Sequence, residues 1–231
     1  MLIAGRPSTG KTALALSIAK NIVMRKDPKA VAIFSLEISK DNLMSRFVAM
    51  TAEVSLLKLK AGQFSKTQWR GVVAAAARFP SSLLYIDDSP NLTPEDIGLD
   101  GKRLARKLDK KGPPLGLVLI DYFQLLRGAH GTKRRVPDGT LMSRLKRISV
   151  SLKVPFIVTS SIPRPSDAGR TTPMLGDFKE PSLTHSVDTI VLLPQIPRMG
   201  KRRRMVIVAK NRRPKTGPVP VIFDSARAYF T

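Results

Sequence analysis

The sequence predicts an α/β protein, a mostly parallel sheet with helices on both faces, as one domain over 1–231. Three observations carry this expectation. Short apolar runs alternate with segments of helical periodicity along the chain. A Gly-x-x-x-x-Gly-Lys-Thr loop stands between the first apolar run and the first helical pattern. No internal repeat and no long Pro/Gly/Ser-rich linker divides the 231 residues, and that length buries a substantial core as one unit.

The elements follow in order. Leu2, Ile3 and Ala4 form a short strand leading into the loop. Ala13, Leu14, Leu16, Ile18, Ala19, Ile22 and Val23 then recur at helical spacing. "AVAIFSLE" (30–37) reads as a buried strand ending in a glutamate. Ser65 and Gln68 have capping-box spacing and open a helix running through Trp69 to Phe79, with Trp69 in the core. "LLYID" (83–87) is a strand. Thr93-Pro94-Glu95-Asp96 supplies an N-cap, a proline at the first helical position and acids in the first turn. "LGLVLID", ending at Asp121, is a further buried strand, and Leu141, Leu145, Ile148 and Leu152 mark one face of the helix after it. "VPFIVTS", "DTIVLL", "RMVIVA" and "VPVIF" complete the strands. All are apolar almost throughout, as expected where helices cover both faces of a sheet.

Composition narrows the function. Forty Lys and Arg against 17 Asp and Glu give a formal net charge of +23, which points to a polyanionic partner, most simply nucleic acid. No apolar run reaches the length of a membrane span, and the start lacks a signal-peptide pattern, so a cytoplasmic, membrane-free protein is expected. Without cysteine there are no disulfides or thiolate metal sites, and two histidines argue against zinc.

The chemistry centres on the loop. Backbone amides of Ser8 to Thr12 wrap a β-phosphate, with the helix N-terminus favouring its charge. Lys11 bridges β- and γ-phosphates and the Thr12 hydroxyl ligates Mg²⁺. The candidate nucleotide-binding residues are Gly5, Arg6, Pro7, Ser8, Thr9, Gly10, Lys11, Thr12 and Ala13. A second carboxylate should hold the Mg²⁺ shell at a strand end. Asp87 and Asp121 both qualify; position favours Asp121, because Asp87 runs into a loop and helix-entry signal. Glu37, at a strand's carboxyl end in the same crevice, is the candidate general base.

"GRPSTGKTALALSIA", "VAIFSLEISKDNLMSR", "LYIDDSPNLTPEDI", "LVLIDYFQLL", "LKVPFIVTSS" and "KNRRPKTGPV" occur in this order. The series resembles the C-terminal RecA-like motor domain of the replicative hexameric DNA helicases of the DnaB family, from Gly5 to Phe230. The resemblance implies a P-loop NTPase fold with a C-terminal antiparallel extension. It implies ATP hydrolysis coupled to translocation on single-stranded DNA during replication, with Asp121 as the Mg²⁺-associated aspartate and Glu37 catalytic. Lys210 and Arg212, in "AKNRR", match a pair that reaches the γ-phosphate of the neighbouring subunit in trans. A hexameric ring, and a primase or loader as partner, belong to the same expectation. The family's N-terminal helical domain and linker helix have no counterpart in the 231 residues, so weaker, salt-dependent oligomerisation is expected.

Departures from the family pattern cluster in the part that couples hydrolysis to DNA. Ser161 stands where the family has a glutamine thought to sense the γ-phosphate. Lys179-Glu180-Pro181-Ser182 replaces its Arg-Glu-Ser-Gly DNA loop, losing a bidentate guanidinium and a backbone N–H. Thr184-His185 stands for its Glu-Gln. The basic excess concentrates in 132–136, 143–149 and 198–205. Lys133, Arg134 and Arg135 follow the Asp121 strand where the family places a DNA-facing loop, and with Arg164, Lys179 and Glu180 they are the candidate DNA-binding residues. The run at 198–205 reads equally as a nonspecific DNA contact or a solvated tip. Two rival functions remain on these residues: a reduced ATP- and DNA-binding module that does not unwind, and another RecA-like recombination ATPase.

Overall fold

The computed structural model describes residues 1–80, 82–128, 136–163, 172–195, 203–212 and 215–231. Among these residues nine strands are ordered β3-β2-β4-β5-β1-β6-β7-β8-β9. They are β1 (Leu2–Gly5), β2 (Ala30–Ser35), β3 (Leu84–Asp87), β4 (Leu115–Asp121), β5 (Phe156–Ser161), β6 (Thr189–Leu193), β7 (Arg203–Asn211), β8 (Gly217–Asp224) and β9 (Tyr229–Phe230). The first six pair in parallel, and β7, β8 and β9 add antiparallel strands beyond β6. The short first strand is sufficient because it lies at the sheet's centre: Leu2, Ile3 and Ala4 are fully buried between β5 and β6.

Strand periodicity divides the core into two layers. Leu2, Ala4, Ala32, Phe34, Val118 and Ile120 face one side, and Ile3, Val31, Ile33, Leu117 and Leu119 face the other. The first side is covered by α5 (Pro94–Lys111), α6 (Asp138–Leu152) and α7 (Ser182–His185), through Ile97, Leu108, Leu141, Leu145 and Leu183. On the second side lie α1 (Lys11–Val23) and α2 (Lys40–Ala52), through Leu16, Ala19, Leu43 and Phe47.

The predicted capping box at Ser65 and the predicted N-cap at Thr93 are both present, and the second is also a full capping box. Ser65 caps α4 (Lys66–Ala77) with Gln68, and Thr93 caps α5 with Asp96. The Thr93 hydroxyl and amide hold the Asp96 carboxyl below its ordinary range. Trp69 is a correction. It is 56% exposed, its ring tilted against Phe64 with centroids 6.1 Å apart. The reason is that α4 joins a satellite cluster with α2, in which only its Val72 and Ala75 are buried. After α2 comes the short helix α3 (Leu56–Ala61), and neither α2 nor α3 is anticipated by the sequence pattern.

The antiparallel strands also depart from expectation. Met205, Val219 and Ile222 are 42%, 43% and 48% exposed, so helices do not cover both faces of β7 and β8. Two prolines are tolerated at 218 and 220 because β9 pairs only with Phe223 and Asp224, leaving the start of β8 at an edge. Thr93→Ala should remove the α5 cap and cost about 1 kcal/mol, or about 2–4 °C in thermal midpoint for a domain of this size. Calorimetry showing no shift would contradict the cap's role.

Candidate functional site

The loops after β1, β2, β4 and β5 open on one edge of the sheet, the carboxyl edge where α/β folds place their ligands. At its centre the chain leaves β1 through Gly5. A β-carbon there would lie 2.7 Å from Thr9 Oγ1 and 2.9 Å from the Leu193 carbonyl, so only glycine fits. The loop then closes around the Arg6 carbonyl. It accepts from the Thr9 hydroxyl at 2.8 Å, the Lys11 ammonium at 2.9 Å and the Thr9 amide at 3.4 Å. Ser8 and Gly10 take positive φ values of 63° and 96°, alternating the peptide planes as an anion nest requires. Gly10 is the N-cap of α1 without a side-chain cap, so the first amides of the helix are left for a ligand.

Burial lowers the Lys11 pKa, while the charges of Asp121 and Glu37 raise it. Asp121, itself 3% exposed, receives a hydrogen bond of 2.9 Å from the Thr12 hydroxyl on its Oδ2. A second comes from the Thr159 hydroxyl to Oδ1. Ser35 and Asp121 are register partners at the ends of β2 and β4, and the Leu36 amide donates to the Asp121 carbonyl. Glu37 is exposed, two residues beyond the end of β2 rather than within it. Burial, then the charges of Glu37 and Asp121, raise the pKa of Tyr122.

Sheet order separates the two candidate aspartates. Asp121 is two strands from β1 and Asp87 four, about 10 and 19 Å at the usual strand spacing. The Asp87 carboxylate accepts the Ser89 amide at 2.9 Å, a local turn at the sheet's edge.

A cavity of ≈ 600 Å³ adjoins the loop, lined by Arg6, Ser8, Gln124, Ser161, Lys179 and Gln195 among others. Gln124 was not anticipated. Its carboxamide donates to Ser160 Oγ at 2.8 Å and to the Ser161 carbonyl at 3.0 Å, and accepts from the Ser161 amide at 3.2 Å. An amide side chain thus lies beside the short Ser161. Lys179 is exposed on the cavity wall, whereas the Glu180 carboxylate accepts the Asp138 amide at 2.6 Å and so ties the segment to α6. Pro181 has φ −57° and precedes the first turn of α7 without strain. Lys133, Arg134, Arg135 and Arg164 lie outside the described residues.

Lys210 and Arg212 sit at the opposite end of the sheet. Gly5 registers with Leu193 on β6, while Thr189, four residues back, registers with Asn211. That is about 13 Å below the phosphate loop. Lys210 donates to the Thr184 carbonyl at 2.7 Å, and Arg212 pairs with Asp188 at 2.9 Å. Neither is brought to its own chain's loop.

Of the basic run at 143–149, Arg144 pairs with Glu95 at 3.4 Å and Lys146 with Asp188. Arg204, from the third run, lies under the phosphate loop over the Phe223 ring, 3.9 Å from its centroid.

A family model described as "DnaB-like helicase C terminal domain" matches residues 1–231. Among curated relatives, the replicative DNA helicase DnaB of Nostoc sp. is 38% identical over 85% of this chain and 22% of its own. The replicative DNA helicase DnaC of Bacillus subtilis is 31% identical over 96% of this chain and 50% of its own. The chain therefore spans half or less of the length of these relatives. A solved structure titled as a DnaB-like replicative helicase and its interactions with primase superposes with a TM-score of 0.85 at 28% identity. It covers all of this chain and 57% of that one. A second solved structure, titled as an ATPase domain, gives 0.84 at 28% identity, over all of this chain and 83% of that one. The fold is thus RecA-like.

Asp188 yields a test. Burial raises its pKa, but the Lys146 hydrogen bond and the charges of Lys146 and Arg212 bring it below the ordinary value of 3.8. The pairing therefore contributes stability above that pH, lost as pH falls through the depressed value. Asp188→Asn should lower the thermal midpoint at pH 7, with the gap from the parent closing below pH 4. A gap that persists unchanged to pH 3 would contradict the pairing.

Proposed function

The chain belongs to the DnaB-like helicase C-terminal domain family, and on that footing we propose that it is an ATP-hydrolysing DNA helicase motor. The sheet of nine strands among the described residues, from Leu2 to Phe230, supports reading 1–231 as a single RecA-like ATPase domain. The observation that carries the reading is the convergence of Lys11, Thr12 and Asp121 on a phosphate loop whose helix N-terminus is open. Strand separation in replication comes from the resemblance, with single-stranded DNA as the track and a primase or loader as associate.

The residues fit a Mg²⁺ ion. Thr12 and Asp121 offer a hydroxyl and a carboxylate already in hydrogen-bond contact, both hard oxygen donors. Among the described residues no cluster of three His, Cys, Asp or Glu competes, which suits an ion that keeps phosphate and water ligands. When bound, Mg²⁺ neutralises charge on the β- and γ-phosphate oxygens.

This chain's residues do the rest. The amides at the start of α1 hold the β-phosphate. Lys11 exchanges the Arg6 carbonyl for phosphate oxygens, a stronger, charge-assisted acceptor. Glu37 orients the attacking water and accepts its proton as the β–γ bond breaks. The displacement of Lys210 and Arg212 to the far end of β7 supports their acting on a neighbour's γ-phosphate. Each nucleotide is then shared by two copies, and a homo-oligomer, hexameric by resemblance, is part of the function. Lys133, Arg134, Arg135, Arg164 and Lys179 are assigned to DNA phosphates. With no described helix long and apolar enough to cross a membrane, we take the site of action as cytoplasmic.

Lys11→Ala and Glu37→Gln should each reduce DNA-stimulated phosphate release by at least about 100-fold. Mixing Arg212→Ala with Glu37→Gln chains should restore part of it, because hybrid interfaces contain one intact site. Absence of rescue at every mixing ratio would exclude a shared site.

A further inference from the structure

Arg204 lies in the run "RMGKRRRM" yet its surroundings are not those of a solvated tip. It is on the α1 side of β7, half-buried, its guanidinium stacked over Phe223. Phe223 packs on Phe230 with centroids 4.5 Å apart. Phe230 in turn meets the phosphate loop, since a β-carbon on Gly10 would lie 3.2 Å from its ring. Its amide donates to the Ser17 hydroxyl of α1 at 2.9 Å. The antiparallel strands therefore form a floor beneath the loop, and Arg204 is its cationic element. No described carboxylate pairs with it.

The Arg204 guanidinium donates to the Thr9 carbonyl at 3.4 Å. Among the described residues this carbonyl accepts no backbone hydrogen bond. A trans peptide points its C=O and N–H in opposite directions. Drawing the Thr9 oxygen down to the floor turns the Gly10 amide up into the cradle, where the positive φ of Gly10 permits it. We propose that Arg204 is a positioning residue for phosphate binding: it locks the Thr9–Gly10 peptide plane and adds a cation beneath the bound phosphates. The assignment rests on the nucleotide-binding reading of the loop and deepens it. Desolvating an unpaired guanidinium costs stability, and a phosphate above the loop supplies the missing anion without contacting the side chain.

Calorimetric titration with MgADP and with inorganic pyrophosphate tests this on the full chain. Arg204→Met, which keeps the stem over Phe223, should weaken both ligands alike by about 5- to 30-fold. Arg204→Lys, which keeps the charge and a donor, should recover most of that loss. Backbone amide exchange at Gly10 supplies a readout that packing alone would not move: faster in Arg204→Met, near the parent rate in Arg204→Lys. Unchanged affinity for both ligands in folded Arg204→Met overturns the assignment. A loss for ADP without one for pyrophosphate also overturns it, since the residue would then serve the nucleoside. Lys11→Ala, run in parallel, separates the two readings. If it abolishes binding while Arg204→Met leaves affinity unchanged, only Arg204 is misassigned; if Lys11→Ala also leaves binding intact, the phosphate-loop reading falls and this one with it.

Discussion

The pair of hydrogen bonds that Asp121 accepts from Thr12 and Thr159 is the contact on which the site depends. One joins the end of β4 to the first turn of α1, and the other joins it to β5. Through them the phosphate loop that follows β1 is fixed to the middle of the parallel sheet. The carboxylate is buried, and a buried charge persists only where hydrogen bonds replace its lost water. Its position also sets what surrounds it: Lys11 inside its field, Glu37 beyond the neighbouring strand, and Tyr122 next in the chain.

The loop itself is built on a second set of contacts that leave the first amides of α1 open. Its internal hydrogen bonds converge on one carbonyl, that of Arg6. Glycine at 5 permits the approach to Leu193, and positive φ at Ser8 and Gly10 turns the peptide planes. From below, Phe230 and Arg204 close the loop against the antiparallel strands. A strand of four residues suffices to carry this machinery because both its neighbours are long enough to bury it completely. The same antiparallel strands carry Lys210 and Arg212 to the opposite end of the sheet. One extension of the fold thus supports its own loop at one end and presents cations at the other.

Much of this was legible from local pattern. The phosphate loop, the Ser65 capping box, the Thr93 N-cap and the apolar strands depend on residues close in sequence, and pattern reads those well. What local pattern leaves open or misses depends on neighbours distant in sequence. Asp87 and Asp121 both end apolar runs; position favours Asp121, and the strand order adds the distances, about 19 and 10 Å from β1. Trp69 on a helix reads as core, but its helix packs on α2 rather than on the sheet. Arg204 was hidden among cations, where no spacing marks the one that meets Phe223. Gln124 gave no signal because its partners, Ser160 and Ser161, belong to another strand.

On the proposed function, one chain holds the phosphate site and a second copy completes the catalytic one. Phosphate release per chain, measured across serial dilution with saturating MgATP and single-stranded DNA, tests it most directly. The account predicts specific activity that climbs with protein concentration and reaches a plateau as chains assemble. Specific activity that stays constant down to concentrations where light scattering shows only monomers would contradict it.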